Sequence, residues 1–81
     1  MGAEHPSRGT VLLVEDEESI ADLVRLYLER DGFRVVWRTD GRSGLAAVDA
    51  ERPRLVLLDL MLPGMDGFEV TRALRERGGR V

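Results

Sequence analysis

The chain has 81 residues, of which 43% are hydrophobic and 33% are charged, a composition typical of one folded domain and not of a disordered tail. The formal net charge of −3 gives no electrostatic case for binding nucleic acid or an anionic membrane. Cysteine is absent and no apolar run approaches the ~20 residues of a membrane span, so disulfides and thiolate metal sites are excluded and we expect a cytoplasmic protein.

The first third of the chain predicts a polar leader, a buried strand and a helix. Residues 1–9 lack the apolar core of a signal peptide, and we expect them to be disordered. The apolar run at 11–14 (VLLV) predicts a strand buried on both faces, as in a parallel sheet. Ser19 with Asp22 resembles a capping box, and Gly32 predicts the end of the helix. The apolar residues at helical spacing, which we expect to face inward, are Ile20, Leu23, Val24, Tyr27 and Leu28.

The rest of the chain continues the alternation of strands and helices. Residues 33–37 predict a second strand, and a short second helix follows with Leu45 and Val48 facing inward. Residues 55–60 predict a third strand that is apolar except for one carboxylate, and residues 68–74 continue into a third helix. This βαβαβα order predicts an α/β fold with a parallel sheet and right-handed crossovers.

Acidic residues stand at the ends of two predicted strands. Glu15 and Asp16 follow the first strand, and Asp59 falls near the end of the third. Ligands of open α/β sheets bind beyond the carboxyl ends of the strands. If the two strands are neighbours, about 4.8 Å apart, the three carboxylates converge on one small pocket. Such a cluster repels itself and suits Mg²⁺, beside which a carboxylate can act as a nucleophile on phosphorus.

A purely structural role competes with this interpretation. Glu15 and Asp16 alone could simply favour a helix N-terminus. Asp59 is harder to explain by packing, because a carboxylate inside an apolar segment is costly to bury. The placement of all three acids by one fold argument favours a functional site.

Two segments carry a highly specific combined motif. Residues 11–17 have the sequence VLLVEDE, residues 55–67 have LVLLDLMLPGMDG, and GFEV at 67–70 continues the second segment. The combination resembles the receiver domain of bacterial response regulators, and most closely the winged-helix transcription factors of the OmpR type. The resemblance covers residues 10–81. It implies a CheY-like, flavodoxin-like doubly wound parallel sheet with strand order 2-1-3, truncated here to three βα units.

The resemblance also implies a role for each matching residue. Asp59 matches the phosphoacceptor, which takes a phosphoryl group from a sensor histidine kinase. Glu15 and Asp16 match the acidic pair that binds Mg²⁺ together with Asp59, Asp16 directly and Glu15 through water. Met61 matches the position whose backbone carbonyl completes the metal site. In such proteins the phosphorylated receiver controls a DNA-binding output domain. We therefore expect that this chain is not an enzyme.

Other residues receive structural roles. Pro63 and Gly64 match positions that shape the loop after the phosphoacceptor. We assign Trp37, Tyr27 and Phe33 to packing and not to a binding face.

The motif is incomplete in one respect. A receiver normally has five strands, with a Ser or Thr after the fourth and a Lys after the fifth; neither residue has a counterpart here, and all twelve basic residues are arginine. We therefore expect an N-terminal fragment whose partial receiver domain, residues 10–81, ends at the start of the fourth strand. The third strand would then be an exposed apolar edge, which predicts self-association or strand swapping.

Two alternatives remain open, and a third is disfavoured. A hydrolase of the aspartyl-phosphate type also uses a carboxylate after a strand, but it requires a second acid two residues later, where this chain has Met61. A pseudo-receiver or truncated interaction module would keep the acidic pocket without being phosphorylated. Nucleotide binding is disfavoured because neither G-x-G-x-x-G nor a Walker loop occurs, and Gly41 and Gly44 are expected only to flank a helix.

Overall fold

The computed structural model describes residues 8–59 and 67–76 of the chain. The predicted alternation of strands and helices is confirmed. The elements are β1 (Thr10–Val14), α1 (Glu18–Arg30), β2 (Arg34–Arg38), α2 (Gly41–Glu51), β3 (Leu55–Leu58) and α3 (Gly67–Glu76). Among these residues, no helix has both the length and the apolar character that crossing a membrane requires.

The three strands form one parallel sheet in the order β2-β1-β3, which confirms the predicted strand order. Val11 lies opposite Val35 and Leu55, and Val14 lies opposite Arg38 and Leu58. β1 is therefore the central strand, and its four apolar residues are buried as expected for a strand covered on both faces. Within the described residues, β3 is an edge strand.

One face of the sheet carries most of the core. Leu12 and Val14 pack with Val36 and Ala47, which brings α2 onto β1 and β2. A second cluster of buried residues joins α2 to α3 and consists of Leu45, Val70 and Leu74. Half-buried residues that contact both clusters are Val48, Val56 and Leu58. The inward orientation predicted for Leu45 and Val48 is confirmed.

α1 lies on the opposite face, and its apolar residues are covered less than the periodicity predicts. Ala21 is fully buried, but Ile20, Leu23 and Tyr27 are 44%, 54% and 61% exposed. The inward orientation of Ile20 is confirmed, because Ile20 lines a groove with Leu13 and Val24, but the burial expected for Leu23 and Tyr27 is wrong, because both are more than half exposed. This open groove of about 490 Å³ runs between α1 and β3, with Glu15 and Asp59 at its polar end.

Of the two sequence predictions for the ends of α1, the one for its C-terminus is confirmed and the one for its N-terminus is not. The expected capping box is wrong, because Glu17 is the N-cap residue and no side chain caps it. The C-terminal prediction is confirmed: Gly32 adopts φ 94°, the left-handed conformation that glycine takes without a Cβ clash. The N–H of Gly32 donates to the carbonyl of Glu29 at 3.1 Å.

Gly44 lies inside α2 and does not merely flank it, which corrects the expectation from the sequence. A Cβ at this position would lie 2.9 Å from Cγ2 of Val14, closer than carbon atoms normally approach. Glycine thus allows α2 to pack directly over the last residue of β1. Asp40 caps the same helix by accepting a hydrogen bond from the N–H of Ser43 at 2.9 Å.

Arginines dominate the amino-terminal edge of the sheet, defined here by Arg8, Arg34 and Arg54. The guanidinium of Arg8 stacks over the ring of Phe33 at 4.8 Å, and the backbone N–H of Arg8 donates to the carbonyl of Gly32 at 2.9 Å. Arg54 Nη1 donates to the carbonyl of Arg8 at 2.6 Å. Arg8 and Gly9, assigned to the leader, therefore contact the domain, while residues 1–7 lie outside the described part.

Candidate metal centre

Three carboxylates meet at the carboxyl-terminal edge of the sheet. Glu15 and Asp16 directly follow β1, and Asp59 directly follows β3. Because β1 and β3 are parallel neighbours with Val14 opposite Leu58, the two chain segments leave the sheet side by side. One carboxylate oxygen from each residue lies within 4.8 Å of the other two. The convergence predicted from the sequence is confirmed, and we call these three residues the acidic cluster.

Backbone hydrogen bonds continue past the strand ends and fix the acidic cluster. The N–H of Asp59 donates to the carbonyl of Val14 at 3.0 Å. The N–H of Glu15 donates to the carbonyl of Arg38 at 3.0 Å. Each acid that follows a strand is thus held by the neighbouring strand, which places its side chain more precisely than a free loop would.

Glu15 is the most enclosed acid of the cluster, with 9% of the residue exposed. Its carboxylate accepts a hydrogen bond from the N–H of Glu17 at 3.0 Å, and this bond lowers the pKa of Glu15. Burial and the negative charges of Asp59 and Asp16 act in the opposite direction and together raise the pKa above its ordinary value of 4.5. Burial and the neighbouring negative charges therefore both disfavour the charged form of Glu15 in the folded chain.

The acidic cluster suits a hard divalent cation. Its donors are carboxylate oxygens, which Mg²⁺ prefers, and a cation among them relieves the repulsion that raises the pKa of Glu15. Asp16 is exposed and Asp59 is half-buried, so the cluster is open to solvent on one side. That opening leaves room for the water and phosphate oxygens that Mg²⁺ usually retains as ligands.

Trp37 contacts the acidic cluster in a way that the sequence analysis missed. Its indole Nε1–H donates to the backbone carbonyl of Glu15 at 2.8 Å. The signal was present in the sequence, since a tryptophan near the end of a strand needs an acceptor for its N–H group when partly buried. Which acceptor it finds depends on the strand order, which residue spacing alone does not give.

Three predicted site residues are not described by the structure, and two aromatic residues assigned to packing lie apart from the acidic cluster. Met61, Pro63 and Gly64 lie outside the described residues, so their assigned roles stay predictions. Tyr27 and Phe33 lie away from the acidic cluster: Tyr27 is on the exposed side of α1, and Phe33 contacts Arg8 at the opposite edge of the sheet.

Comparisons with known proteins agree with this arrangement. The family model described as the response regulator receiver domain matches residues 11–81. The chain is 50% identical over 66 residues to the transcriptional regulatory protein CseB of Streptomyces coelicolor, and 45% identical over 67 residues to the alkaline phosphatase synthesis transcriptional regulatory protein PhoP of Bacillus subtilis. These matches cover 82% and 83% of the chain.

A solved structure gives the same result. The receiver domain of the sensor histidine kinase PA1611 from Pseudomonas aeruginosa, solved with a magnesium ion coordinated in its active site cleft, superimposes with a TM-score of 0.80 and 31% identity. The match covers 84% of this chain and 56% of that one.

The chain spans only 28% of the length of CseB and of PhoP.

Proposed function

Because the chain belongs to the response regulator receiver domain family, we propose that Asp59 accepts a phosphoryl group, with Mg²⁺ held by the acidic cluster. The observation that carries the proposal is the convergence of three carboxylate oxygens within 4.8 Å at the ends of two neighbouring parallel strands. If Glu15 and Asp16 served only to favour the N-terminus of a helix, there would be no need for Asp59 to lie beside them at the end of β3.

The chemical step is a transfer between two nucleophiles. A carboxylate oxygen of Asp59 forms a bond to phosphorus while the phosphorus–nitrogen bond of a phosphohistidine breaks. The electron pair of that bond stays on the imidazole nitrogen, which takes a proton from solvent, and Asp59 becomes an acyl phosphate. The hydrogen bond from the N–H of Asp59 to the carbonyl of Val14 holds the attacking residue in place while the phosphoryl donor approaches.

Glu15, Asp16 and Asp59 would hold the metal, and Met61 would add its backbone carbonyl. Bound Mg²⁺ supplies positive charge that offsets the carboxylates and the oxygens of the incoming phosphoryl group. Glu15 keeps its own carboxylate oriented through the hydrogen bond from Glu17 N–H. The open side of the acidic cluster, next to exposed Asp16, admits the phosphoryl donor.

The partners follow from the same proposal. The donor is a sensor histidine kinase, and the phosphorylated receiver controls a DNA-binding output domain elsewhere in a longer protein. The two curated relatives that are called transcriptional regulatory proteins support this output. The domain is thus a recipient of the phosphoryl group and not an enzyme. A cytoplasmic location stays a prediction.

Self-association through β3 is a further part of the proposal. Among the described residues, β3 pairs with β1 on one side only, and Leu55 is 45% exposed. An unpaired apolar strand edge is a template for a second strand. Analytical ultracentrifugation should therefore detect species larger than a monomer as the concentration rises. A folded chain that stays monomeric would contradict this part.

Intact-mass spectrometry after incubation with acetyl phosphate and Mg²⁺ tests phosphorylation. We expect a gain of one phosphoryl group in the chain, none in Asp59→Asn, and none when Mg²⁺ is removed by a chelator. Asp22→Asn is the matched control, because it makes the same chemical change on the exposed surface of α1. It should be labelled like the unchanged chain.

Each alternative has its own outcome in this experiment. Mg²⁺ binding without any label on Asp59 would instead support a pseudo-receiver. Continuous release of acetate and phosphate without a labelled intermediate would support a hydrolase. Label that persists in Asp59→Asn would contradict the assignment of the phosphoacceptor.

A further inference from the structure

Trp37 is the single tryptophan of the chain and lies on β2, two strands away from Asp59. It is half-buried, and it shares the α1 face of the sheet with Leu13, its register partner on β1. Its indole N–H donates to the carbonyl oxygen of Glu15 at 2.8 Å. This hydrogen bond joins a side chain that the proposed reaction does not use to the backbone of a proposed metal ligand.

Among the described residues, hydrogen bonds hold Glu15 at its N–H, its carbonyl and its carboxylate, and the first two are made with β2. The N–H of Glu15 donates to the carbonyl of Arg38, its carbonyl accepts from Trp37, and its carboxylate accepts from the N–H of Glu17. The end of β2 is fixed in turn, because Arg38 Nη1 donates to the carbonyl of Trp37 at 2.8 Å. The last two residues of β2 therefore hold the first residue after β1 at both its backbone N–H and its backbone carbonyl.

The carbonyl of Glu15 is a sensitive place for such a support. It belongs to the peptide group that joins Glu15 to Asp16, and the atoms of a peptide group lie in one plane. Holding the oxygen therefore restricts rotation of the whole unit that carries Asp16. Asp16 itself is exposed and lies just outside the ladder of the sheet, so this restriction limits how far its carboxylate can swing away from Glu15 and Asp59.

We propose that Trp37 is a positioning residue for the metal site: its indole N–H fixes the Glu15–Asp16 peptide so that the acidic pair is already arranged before the cation arrives. The inference rests on the proposed function, since it assumes that the acidic cluster binds Mg²⁺. Preorganised ligands bind a metal more tightly because less conformational entropy is lost on binding. Packing alone would explain an aromatic ring at this position, but it would not require the N–H group.

The decisive variant removes the N–H group and keeps the shape of the ring. Because the chain has a single tryptophan, incorporation of β-(3-benzothienyl)alanine in place of tryptophan replaces only Trp37, with sulfur where the indole N–H was. Trp37→Phe is the genetic counterpart and keeps an aromatic ring. Tyr27→Phe is the matched control, since it changes an exposed aromatic residue of α1 on the same side of the sheet.

Mg²⁺ binding is measured by isothermal titration calorimetry at a temperature where circular dichroism shows every protein fully folded. Removal of groups that orient metal ligands typically weakens metal binding by about 10- to 100-fold. We expect a Kd about tenfold higher for the benzothienyl protein and for Trp37→Phe, with Tyr27→Phe unchanged. In ¹⁵N NMR spectra without metal, the amide signals of Asp16 and Glu17 should shift or broaden in the benzothienyl protein.

The outcomes separate this inference from the proposed function. Mg²⁺ binding of equal affinity in the unchanged and benzothienyl proteins would overturn the positioning role and leave the metal site intact. No Mg²⁺ binding by the unchanged chain would overturn the proposed function and the positioning role with it. Unfolding of both Trp37 replacements would show that the hydrogen bond serves the fold as a whole, which would also overturn the positioning role.

Discussion

The amino-terminal and carboxyl-terminal edges of the sheet differ in how their charged side chains are arranged. At the amino-terminal edge, Arg34 Nη1 lies 2.9 Å from Glu51 Oε1, and Arg8 Nη1 lies 3.9 Å from Asp31 Oδ2. At the carboxyl-terminal edge, the acidic cluster brings three carboxylates together, and burial together with the charges of Asp59 and Asp16 raises the pKa of Glu15. One edge is arranged to lower the electrostatic energy of the fold and the other to raise it.

This difference separates stability from function within one small sheet. An ion pair at the surface stabilises the fold slightly. A cluster of carboxylates destabilises the fold until a bound cation offsets the repulsion between them. Folding alone therefore gives no reason to keep the acidic cluster. Both edges depend on β1, which runs between them, and the strand connects the stabilising end of the molecule to the end that we propose binds metal.

The largest effect should come from the core that supports both edges. Leu12 is fully buried in the middle of β1, so Leu12→Ala should cost about 2–5 kcal/mol of unfolding free energy. Leu26→Ala is the control, because Leu26 is 51% exposed and its loss should cost less than about 0.5 kcal/mol. Urea denaturation measures both, and similar losses for the two variants would contradict the described core.

Gly44→Ala should affect the carboxyl-terminal edge selectively. The new Cβ would lie 2.9 Å from Val14, the residue before Glu15, so α2 or β1 must shift. Overpacking typically costs about 1–3 kcal/mol, which offsets or exceeds the gain of about 1 kcal/mol that alanine brings to a helix. We expect a net loss of stability together with weaker Mg²⁺ binding.

A double-mutant cycle isolates the contact between these two residues. Val14→Ala removes the methyl groups that the new Cβ would meet, so the double variant should lose less stability than the two single variants together. Strict additivity would show that the cost of Gly44→Ala arises elsewhere.

Glu51→Gln tests the opposite edge. It removes the charge that pairs with Arg34 while the shape of the side chain is kept. Because the Arg34 side chain is 58% exposed, we expect a loss of no more than about 1 kcal/mol, smaller at high salt, and an unchanged affinity for Mg²⁺. A gain of stability would contradict the comparison of the two edges.

The smallest effects should appear in the pH dependence of stability. The pKa of Glu15 is raised above 4.5, so the folded state binds its proton more tightly than the unfolded state does. The stability that this adds is fully present below pH 4.5 and is lost as pH rises through the folded pKa. The difference in unfolding free energy between the unchanged chain and Glu15→Gln should therefore change across that interval, measured without Mg²⁺.

Asp40 provides the comparison of opposite sign. The hydrogen bond from the N–H of Ser43 lowers the pKa of Asp40 below its ordinary value of 3.8. Its contribution to stability is present above pH 3.8 and is lost as pH falls through the folded pKa. Asp40→Asn should remove this low-pH loss and leave the change due to Glu15 in place. The same pH dependence in both variants would contradict these assignments.

Much of the fold could be predicted from the sequence because periodicity and strand-end acids are local signals. The run at 11–14 and the acids after it predicted the central strand and the place of the acidic cluster, and the resemblance supplied the strand order. Burial along α1 could not be predicted, since helical spacing shows that Ile20 and Tyr27 share a face but not whether another element covers that face.

Details that depend on tertiary approach were also missed. The role of Gly44 follows from how closely α2 passes Val14, and the partner of Trp37 follows from the end of a neighbouring strand. Glu17 is the N-cap of α1 and its N–H donates to the carboxylate of Glu15, so the helix begins before the capping box predicted at Ser19. Each of these contacts joins residues whose relationship is set by packing and not by spacing.

The most direct test of the difference between the edges is the thermal unfolding of Asp59→Asn with and without Mg²⁺. Removing one charge from the acidic cluster should raise the unfolding midpoint of the metal-free chain, and Mg²⁺ should then have little further effect. The unchanged chain should begin lower and gain about 2.7 kcal/mol when Mg²⁺ is present at a hundredfold excess over its Kd. A lower midpoint for Asp59→Asn without metal, or an equal response of both proteins to Mg²⁺, would contradict the account.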